Sequence, residues 1–537
     1  MSKEWQTLVF DGQLWINLKL RAFPAMPASL IIRLTNNAGA FIQVVDLRGH
    51  ARLQTNTLSE LTGNLCLKPA PLGGLSCTQL TTVTLQGCSA LTTRSLHQLL
   101  IRSPLLERLS LKGLGAVTNT TCDVLAAYCP RLVTLDLSRC SEMDGNGLLS
   151  LAAAALSRGE RLLLRELRLC GLKHINDHIM ATLGKAAPYL EVLDLSYTRQ
   201  LHNSALHAFV SVADGEDMTD TILLTPRAAG REAGESRKYR RRITRIRHLA
   251  LSCCVLLTDI ACSNLAHTLP NLEFLELAGI GAELKDEGLV RLLRTTPLIR
   301  KLDLEDATDI TNDVLAAITP IVPAPDTDTA NPMDSQPGHA LEHIIISYAS
   351  NLTDDALLSL IRNCTQLKVL EADNTSMSSN VMREFVQLAR ERQAIDAKVV
   401  GIDCRGVTEA VVREMSGMTR PRLGWRAYEA RKLRFLDGLD KEELKVGQDE
   451  CDERRVVLKT FYSWQTVDQV KAARLKKRKA NSRRAMDDSN GNVSDPEDIL
   501  ASTGRARWWS PGAGRRMSGA NSPTALDANF NDSCRIM

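Results

Sequence analysis

The sequence is poor in aromatic residues, which make up only 4% of its 537 residues, although 44% of the residues are hydrophobic. A chain of this length with so few aromatic side chains must build its core from aliphatic ones, either in several domains or in a stacked array. It has no run of about 18 apolar residues, so no membrane-spanning helix is predicted. Its first residues also lack the apolar run of a secretory signal. The fourteen cysteines are therefore predicted to be reduced thiols of a protein in the cytoplasm, the nucleus or both.

Motifs for catalysis and metal binding are also missing. The sequence has no Cys-x-x-Cys pair, no glycine-rich phosphate loop with a lysine, and no His-Glu-x-x-His or Gly-x-Ser-x-Gly motif. These absences predict a protein without catalytic residues, metal or cofactor. The formal net charge of +4 is small for this length and does not predict nucleic acid as a partner.

What the sequence does contain is one phrase repeated thirteen times, with leucine-like residues in the order L-x-x-L-x-L and often a cysteine three residues later. Clear copies end at Leu85, Leu137 and Leu251, and several successive copies lie 26 residues apart. A fixed period of this length is typical of a solenoid, which offers a long binding surface. The last leucine-like positions are Leu20, Leu47, Leu85, Leu111, Leu137, Leu169, Leu195, Leu251, Leu277, Leu304, Ile346, Ala372 and Ile402.

Each repeat is predicted to contain one short strand and one helix. The phrase alternates apolar and polar residues, as a strand with one buried face does. A small polar residue follows and can cap a helix, after which comes an apolar helical stripe such as Leu96, Leu99 and Leu100. Because one unit is too small to fold alone, the units must stack into a parallel sheet on the concave side with helices on the convex side. The predicted N-caps are Thr118, Asn176, Thr258, Thr311 and Thr353.

With these features the chain resembles the cysteine-containing leucine-rich repeats of F-box/leucine-rich-repeat proteins. The resemblance covers about residues 16–410 and implies an α/β solenoid, a leucine-rich-repeat horseshoe of about 13 repeats. Residues 1–15 also resemble the closing helix of an F-box, through Trp5, Leu8, Leu14 and Trp15. In that family the F-box docks on the adaptor of a cullin–RING ubiquitin ligase. The family's opening helices are absent before Met1, so we expect either an incomplete gene sequence or a lost docking half, with the two tryptophans capping the first repeat in both cases.

Acidic residues dominate the second half of the predicted concave side. They occur at the positions that flank the last leucine-like residue of each phrase, and no lysine or arginine occupies those positions there. We therefore predict that a target protein presents a basic segment to this side. The candidate target-binding residues are Asp194, Glu276, Asp303, Glu305, Glu371, Asp373 and Asp403.

Two insertions and a C-terminal region interrupt or follow the repeats. Residues 214–245 are rich in arginine and are read as a solvated loop, a nuclear-import signal or an internal pseudo-substrate for the acidic side. Residues 322–339 are read as a flexible loop, 411–485 as a capping region, and 486–537 as a disordered tail. The basic run 471–484 is read as a nuclear address or a helix that contacts RNA or DNA.

Together these observations favour a non-catalytic receptor. The resemblance implies the substrate-recognition subunit of an SCF-type ubiquitin ligase, which would bind a protein substrate and direct it to the proteasome. It would bind the ligase adaptor and a cullin if the full-length protein has an intact F-box. The alternative is a leucine-rich-repeat scaffold or inhibitor with no ligase attached.

Overall fold

The computed structural model describes Glu4 and residues 15–67, 76–212, 220–231, 238–321, 336–420 and 453–460. The chain divides into two compact units, Met1–Trp464 and Gln465–Met537, and every residue of the second lies outside the described ranges. The first unit is an α/β solenoid built around one sheet. The predicted fold class is therefore confirmed, whereas the predicted domain boundaries stay predictions.

Short strands on one side of the unit form this sheet. In chain order the strands are β1 Asn17–Lys19, β2 Val44–Asp46, β3 Thr82–Thr84, β4 Arg108–Ser110, β5 Thr134–Asp136, β6 Glu166–Arg168, β7 Val192–Asp194, β8 Thr221–Leu224, β9 Tyr239–Arg242, β10 His248–Ala250, β11 Phe274–Glu276, β12 Lys301–Asp303, β13 His343–Ile345, β14 Val369–Glu371, β15 Lys398–Val400, β16 Thr419–Arg420 and β17 Val456–Lys459. Fifteen of them pair in the order β1 to β7, β10 to β15, β17, β16, and every pair is parallel.

The helices return the chain from one strand to the next and cover the apolar side of the sheet. They are α1 Ala28–Ala38, α2 Thr55–Asn64, α3 Thr93–Ile101, α4 Asn119–Tyr128, α5 Gly145–Ser157, α6 Asp177–Ala186, α7 Asn203–Val210, α8 Asp259–Leu265, α9 Asp286–Leu293, α10 Asn312–Ala317, α11 Asp354–Asn363, α12 Ser379–Glu391 and α13 Glu409–Glu414. All five predicted N-cap residues precede a helix, and the side chains of Asn176, Thr258 and Thr311 each accept a backbone N–H of the first turn. No helix in the described ranges combines the length and the apolar character that a membrane span requires.

Stacking buries the leucine-like positions almost completely. Leu275 and Leu302, which face each other across β11 and β12, are both fully inaccessible to solvent. Their equivalents in the other repeats join them in one continuous apolar core. Because each leucine packs against the repeats before and after it, the units stabilise one another, as the stacking prediction requires.

The cysteine three residues after the last leucine-like position has a specific role in this stacking. Its thiol reaches the main-chain carbonyl of the last leucine-like residue in the preceding repeat, so it fills an apolar site and also adds a weak hydrogen bond. Burial raises the pKa of Cys88 and Cys254 to about 12. The four bonds are Cys88 to Leu47 at 3.2 Å, Cys140 to Leu111 at 3.4 Å, Cys254 to Leu195 at 3.2 Å and Cys404 to Ala372 at 2.9 Å.

The strand register corrects the last repeat of the sequence alignment by one residue. Val399 pairs with Leu370, which places Gly401 opposite Ala372 as the last position of the phrase. Cys404 then follows that position by three residues, as in the other repeats. The alignment on Ile402 was wrong because Gly401 has no apolar side chain to mark it. Ile402 lies one position later, and its carbonyl accepts a bond from the N–H of Asn374 at 2.7 Å.

The arginine-rich insertion contains a hairpin. Strands β8 and β9 pair antiparallel, with Thr221 opposite Arg242 and Leu224 opposite Tyr239. Arg241 is fully buried, and its guanidinium donates to the carbonyls of Ser263, Ala266 and Ala229 at 3.0, 3.4 and 3.2 Å. The prediction of a solvated loop is therefore wrong for β8 and β9, whereas Arg227, Lys238 and Arg245 beside them are exposed to solvent.

The hairpin fixes the insertion against the end of α8. Two of the carbonyls that Arg241 binds belong to the last turn of α8 and its C-cap, where helices leave carbonyls without partners. Burial lowers the pKa of the Arg241 guanidinium to about 10, which still leaves the group charged at neutral pH. Since Arg241 and Arg242 are both buried, neither is available in this fold to an import receptor or to the concave side.

Candidate protein-binding surface

In each repeat, three side chains in and directly after the L-x-x-L-x-L segment point away from the core. The residue that comes next lies in a turn. In β12 and the two residues after it, the outward residues are Lys301, Asp303 and Glu305, which alternate with the buried Leu302 and Leu304. We call these outward residues of β1 to β7 and β10 to β15, together with the turn residue two positions after the last leucine-like one, the concave surface. The turn residue often has a left-handed backbone, as at Asp306 with φ 65°.

Two of the predicted acidic residues are neutralised by basic neighbours on adjacent strands. Glu276 Oε1 lies 3.6 Å from His248 Nε2 and 2.8 Å from Lys301 Nζ. The His248 imidazole and the Lys301 ammonium hold the pKa of the Glu276 carboxyl at about 2, against the opposing effect of burial.

The same arrangement recurs three repeats later. Glu371 Oε1 lies 3.3 Å from His343 Nε2 and 2.8 Å from Lys398 Nζ. These two neighbours hold the pKa of the Glu371 carboxyl at about 2. Glu276 and Glu371 are therefore carboxylates whose charge the fold already compensates.

Three other predicted acidic residues have no direct ion pair of this kind, although Lys301 and Lys398 act on Asp303 and Asp373 from a longer distance. Burial raises the pKa of Asp303, and the backbone N–H of Glu305 at 3.2 Å offsets only part of this. Burial and the neighbouring Asp303 and Asp306 raise the pKa of Glu305. Burial also raises the pKa of Asp373, although its Oδ1 accepts the N–H of Ile402 at 2.8 Å. No cationic side chain in the described ranges forms an ion pair with any of the three.

The remaining two predicted residues differ in position. Asp194 is an outward residue of β7, and its Oδ1 accepts the backbone N–H of Ser196 at 3.0 Å. Asp403 does not flank the last position of its phrase, because the register shift moves it into the turn, where its φ is 59°. It is therefore equivalent to Asp306 of β12.

The sequence reasoning missed one outward position in each repeat. It considered only the two residues that flank the last leucine-like position, whereas the strand also exposes the residue before the middle one. Lys301, Lys398, His248 and His343 occupy that place. The alternation L-x-x-L-x-L could have revealed them, since side chains at i, i+2 and i+4 of a strand share a face.

The N-terminal residues are described only in part. Trp15 is half-buried and packs against the apolar core. Trp5, Leu8 and Leu14 lie outside the described residues, so the predicted F-box remnant stays a prediction. Within the described ranges, no three His, Cys, Asp or Glu side chains converge on a place that could hold a metal ion.

We predict that the two compensated glutamates make stability fall in acid. Both have a pKa of about 2 in the fold against an ordinary 4.5, so their contribution is present above pH 4.5 and is lost as the pH falls toward 2. The Glu276→Gln, Glu371→Gln variant should be less stable than the wild type by about 2 kcal/mol at pH 6, and the difference should shrink below pH 4.5. Urea denaturation in a series of buffers measures this difference.

Asp303→Asn serves as a control of opposite sign. The folded pKa of Asp303 is raised, so its carboxylate costs stability at neutral pH. The variant should be at least as stable as the wild type at pH 6 and should lose that advantage in acid. A constant difference across the pH series in the double-glutamine variant would contradict the assignment of its effect to charge.

No protein-family model and no curated protein matches the chain. One similar solved structure is that of the Rad7 and Elc1 complex in yeast, at 15% identity and a TM-score of 0.43, covering 76% of this chain and 92% of that chain. Another is the leucine-rich repeat-containing protein LegL7 from Legionella pneumophila, at 15% identity and a TM-score of 0.32, covering 60% of this chain and 96% of that one. The parallel register and the buried leucine ladder themselves identify the chain as a leucine-rich-repeat solenoid.

Proposed function

We propose that this chain is the non-catalytic substrate-recognition subunit of an SCF-type ubiquitin ligase in the cytoplasm or nucleus. It binds a target protein on the concave surface and directs it to ubiquitin-dependent degradation. The carrying observation is the unbroken sheet of thirteen repeat strands, whose outward residues extend over about 60 Å at the usual strand spacing. A surface of that length suits another polypeptide better than a small molecule.

The proposal that the chain binds a target protein rests on the structure of the concave surface and does not depend on attachment to a ligase. Strand pairing holds the charged side chains of the concave surface in fixed positions. A target would therefore bind a preorganised surface, and little binding free energy would be spent on ordering the receptor's side chains. A receptor of this kind raises the effective concentration of its target near an enzyme. The link to a ligase adaptor and cullin is supported by the resemblance at Trp5 to Trp15 alone.

A comparison of two forms of the chain in cells tests the proposal. The second form carries Ala278→Trp, which places a bulky side chain at the outward position two residues after β11 without changing the charge. We expect a cullin and its adaptor to co-purify with both forms when they are made from the full-length gene product, if that product has an intact F-box. A specific set of proteins should bind only the wild type and should accumulate when the chain is depleted or the proteasome is inhibited.

The outcomes separate a ligase receptor from a scaffold. Proteins that bind the wild type but keep their abundance after depletion, with no cullin or adaptor present, would show a leucine-rich-repeat scaffold or inhibitor instead. Equal binding of all partners to the wild type and to Ala278→Trp would contradict use of the concave surface. Thermal unfolding of both forms checks that the substitution leaves the fold intact.

A further inference from the structure

The concave surface has opposite charge at its two ends. On β1 to β5 it carries six cationic and two acidic side chains, whereas on β11 to β15 it carries two lysines and seven acidic side chains. The cations are Lys19, Arg21, Arg48, Arg108, Lys112 and Arg139, and the acids of the other end are Glu276, Asp303, Glu305, Asp306, Glu371, Asp373 and Asp403.

Ion pairs within the protein neutralise several of these side chains. The side chains that stay unpaired are mainly cationic at the N-terminal end and acidic at the C-terminal end. At the N-terminal end Arg48 pairs with Asp46 at 2.6 Å. At the C-terminal end Lys301 and Lys398 pair with Glu276 and Glu371. In each of these three pairs the opposite charges cancel within the protein. The pairs therefore contribute little to the electrostatic potential at the concave surface.

What remains at the N-terminal end is five cationic side chains against one carboxylate, Asp136, which accepts hydrogen bonds from Ser110 and Ser138. Lys19, Arg21, Arg108, Lys112 and Arg139 form no ion pair with any described residue. Arg108 and Lys112 belong to the same strand phrase and flank the inward Leu109 and Leu111, so both face the concave side. Arg139 follows on the adjacent repeat, in a left-handed turn with φ 59°.

What remains at the C-terminal end is acidic. Asp303, Glu305 and Asp306 are consecutive on the concave surface of one repeat, and Asp373 lies two repeats further on. Burial raises the pKa of Asp303, Glu305 and Asp373. A cation brought to these carboxylates would relieve both their mutual repulsion and their loss of hydration.

We propose that the concave surface binds one polypeptide with an acidic block and a basic block, the acidic block on β4 and β5 and the basic block on β12 to β14. This inference deepens the proposed receptor function and rests on it. The two charged ends are six strand spacings apart from β4 to β12, or about 30 Å, which an extended chain of about nine residues spans. A nucleic acid is disfavoured because its phosphates would meet the acidic end.

The test uses net-neutral peptides, so that overall charge attraction cancels. The bipolar peptide has five glutamates and five lysines joined by a Gly/Ser linker of about twelve residues, long enough to reach both ends. The comparison peptide has the same composition with glutamate and lysine alternating. Fluorescence anisotropy with the full chain at about 50 mM salt should show the bipolar peptide binding roughly tenfold tighter, and the advantage should fall at higher salt.

Charge reversal at each end gives the sharper result. Arg108→Glu with Lys112→Glu, or Asp303→Lys with Glu305→Lys, should each weaken binding of the bipolar peptide roughly tenfold. All four substitutions together should restore part of the binding, because the peptide can then lie in the opposite direction, although Asp306 and Asp373 still repel its glutamate block. A photocrosslinker on the glutamate block should label β4 and β5 in the wild type and β12 to β14 in the fourfold variant.

Matched variants control for the change in net charge. Arg33→Glu with Arg94→Glu, and Glu60→Lys with Asp123→Lys, make the same changes at exposed positions of helices on the convex side. Both should bind the bipolar peptide as the wild type does. Thermal unfolding of every variant confirms that it is folded before its binding is compared.

Different results would contradict the bipolar assignment and the receptor function. Equal affinity for the bipolar and alternating peptides, or no rescue in the fourfold variant, would overturn the bipolar assignment and leave the receptor function standing. Tighter binding of a single-stranded oligonucleotide, lost in Arg108→Glu with Lys112→Glu, would overturn it in favour of a nucleic-acid partner. The receptor function fails separately, if target binding in cells is unchanged by Ala278→Trp.

Discussion

Replacing Gly288 with alanine should destabilise the protein by about 3 kcal/mol, although the same substitution inside an exposed helix normally stabilises by up to about 1 kcal/mol. Gly288 lies in α9, where a Cβ would come within 1.9 Å of the Asp259 carbonyl oxygen at the start of α8. The Gly288 N–H also donates to the Asp259 side chain at 3.1 Å. The two helices approach so closely that backbone, rather than a mobile side chain, would have to move. Urea denaturation of the wild type and variant measures the change.

Gly63→Ala provides the matched control. Gly63 is also a helical glycine, in α2, but nothing lies within 4 Å of the place where its Cβ would be. That variant should be more stable than the wild type by about 0.5–1 kcal/mol, because alanine loses less backbone entropy on folding. If Gly288→Ala also stabilised the protein, the close packing of α8 against α9 would be wrong.

The repeat itself could be predicted from the sequence because its signals are local. Leucine-like residues at i, i+3 and i+5, and a capping residue such as Thr258 before an apolar helical stripe, are sufficient to predict a strand, a turn and a helix in each unit. Identical units must then stack in one way, so the parallel sheet follows. The prediction was off by one residue where Gly401 occupies the place of a leucine.

The close contact at Gly288 and the pairing of Glu276 could not be predicted in the same way. Both depend on which residues of adjacent repeats come together, and repeat lengths vary between copies because of insertions. The acidic character of the C-terminal half was visible in Asp303, Glu305 and Asp373, but its compensation by Lys301 and Lys398 was missed. This charge compensation can be recognised only when all three outward positions of a strand are aligned in register with those of the adjacent strands.

The hairpin in the arginine-rich insertion shows the limit of composition as a guide. Eight basic residues in a short segment indicate a solvated loop, because a lone buried guanidinium is costly. Arg241 is nevertheless buried, since three carbonyls converge on its guanidinium. Nothing in the local sequence shows that the end of α8, some twenty residues later, supplies two of those carbonyls.

Replacing Arg241 with alanine should destabilise the protein by about 3 kcal/mol, through three carbonyls left without a donor and through the cavity that remains. The lost bonds are those to Ser263, Ala266 and Ala229. Because two of them lie at the end of α8, hydrogen exchange should accelerate first at the backbone amides of α8 and β9. Urea denaturation gives the global change, and hydrogen–deuterium exchange with mass spectrometry locates it.

Arg240→Ala and Arg241→Met separate the causes of that loss. Arg240 is the preceding residue of β9 and is half-buried, so its replacement should change stability by less than about 0.5 kcal/mol. Methionine at position 241 fills most of the cavity and removes a buried charge, which makes the loss smaller than for alanine, yet it leaves the carbonyls without donors. If Arg241→Met were more stable than the wild type, desolvation of the guanidinium would outweigh its three hydrogen bonds. The arginine would then hold the hairpin on α8 at a net cost, and the accelerated exchange at α8 should appear even though global stability had risen.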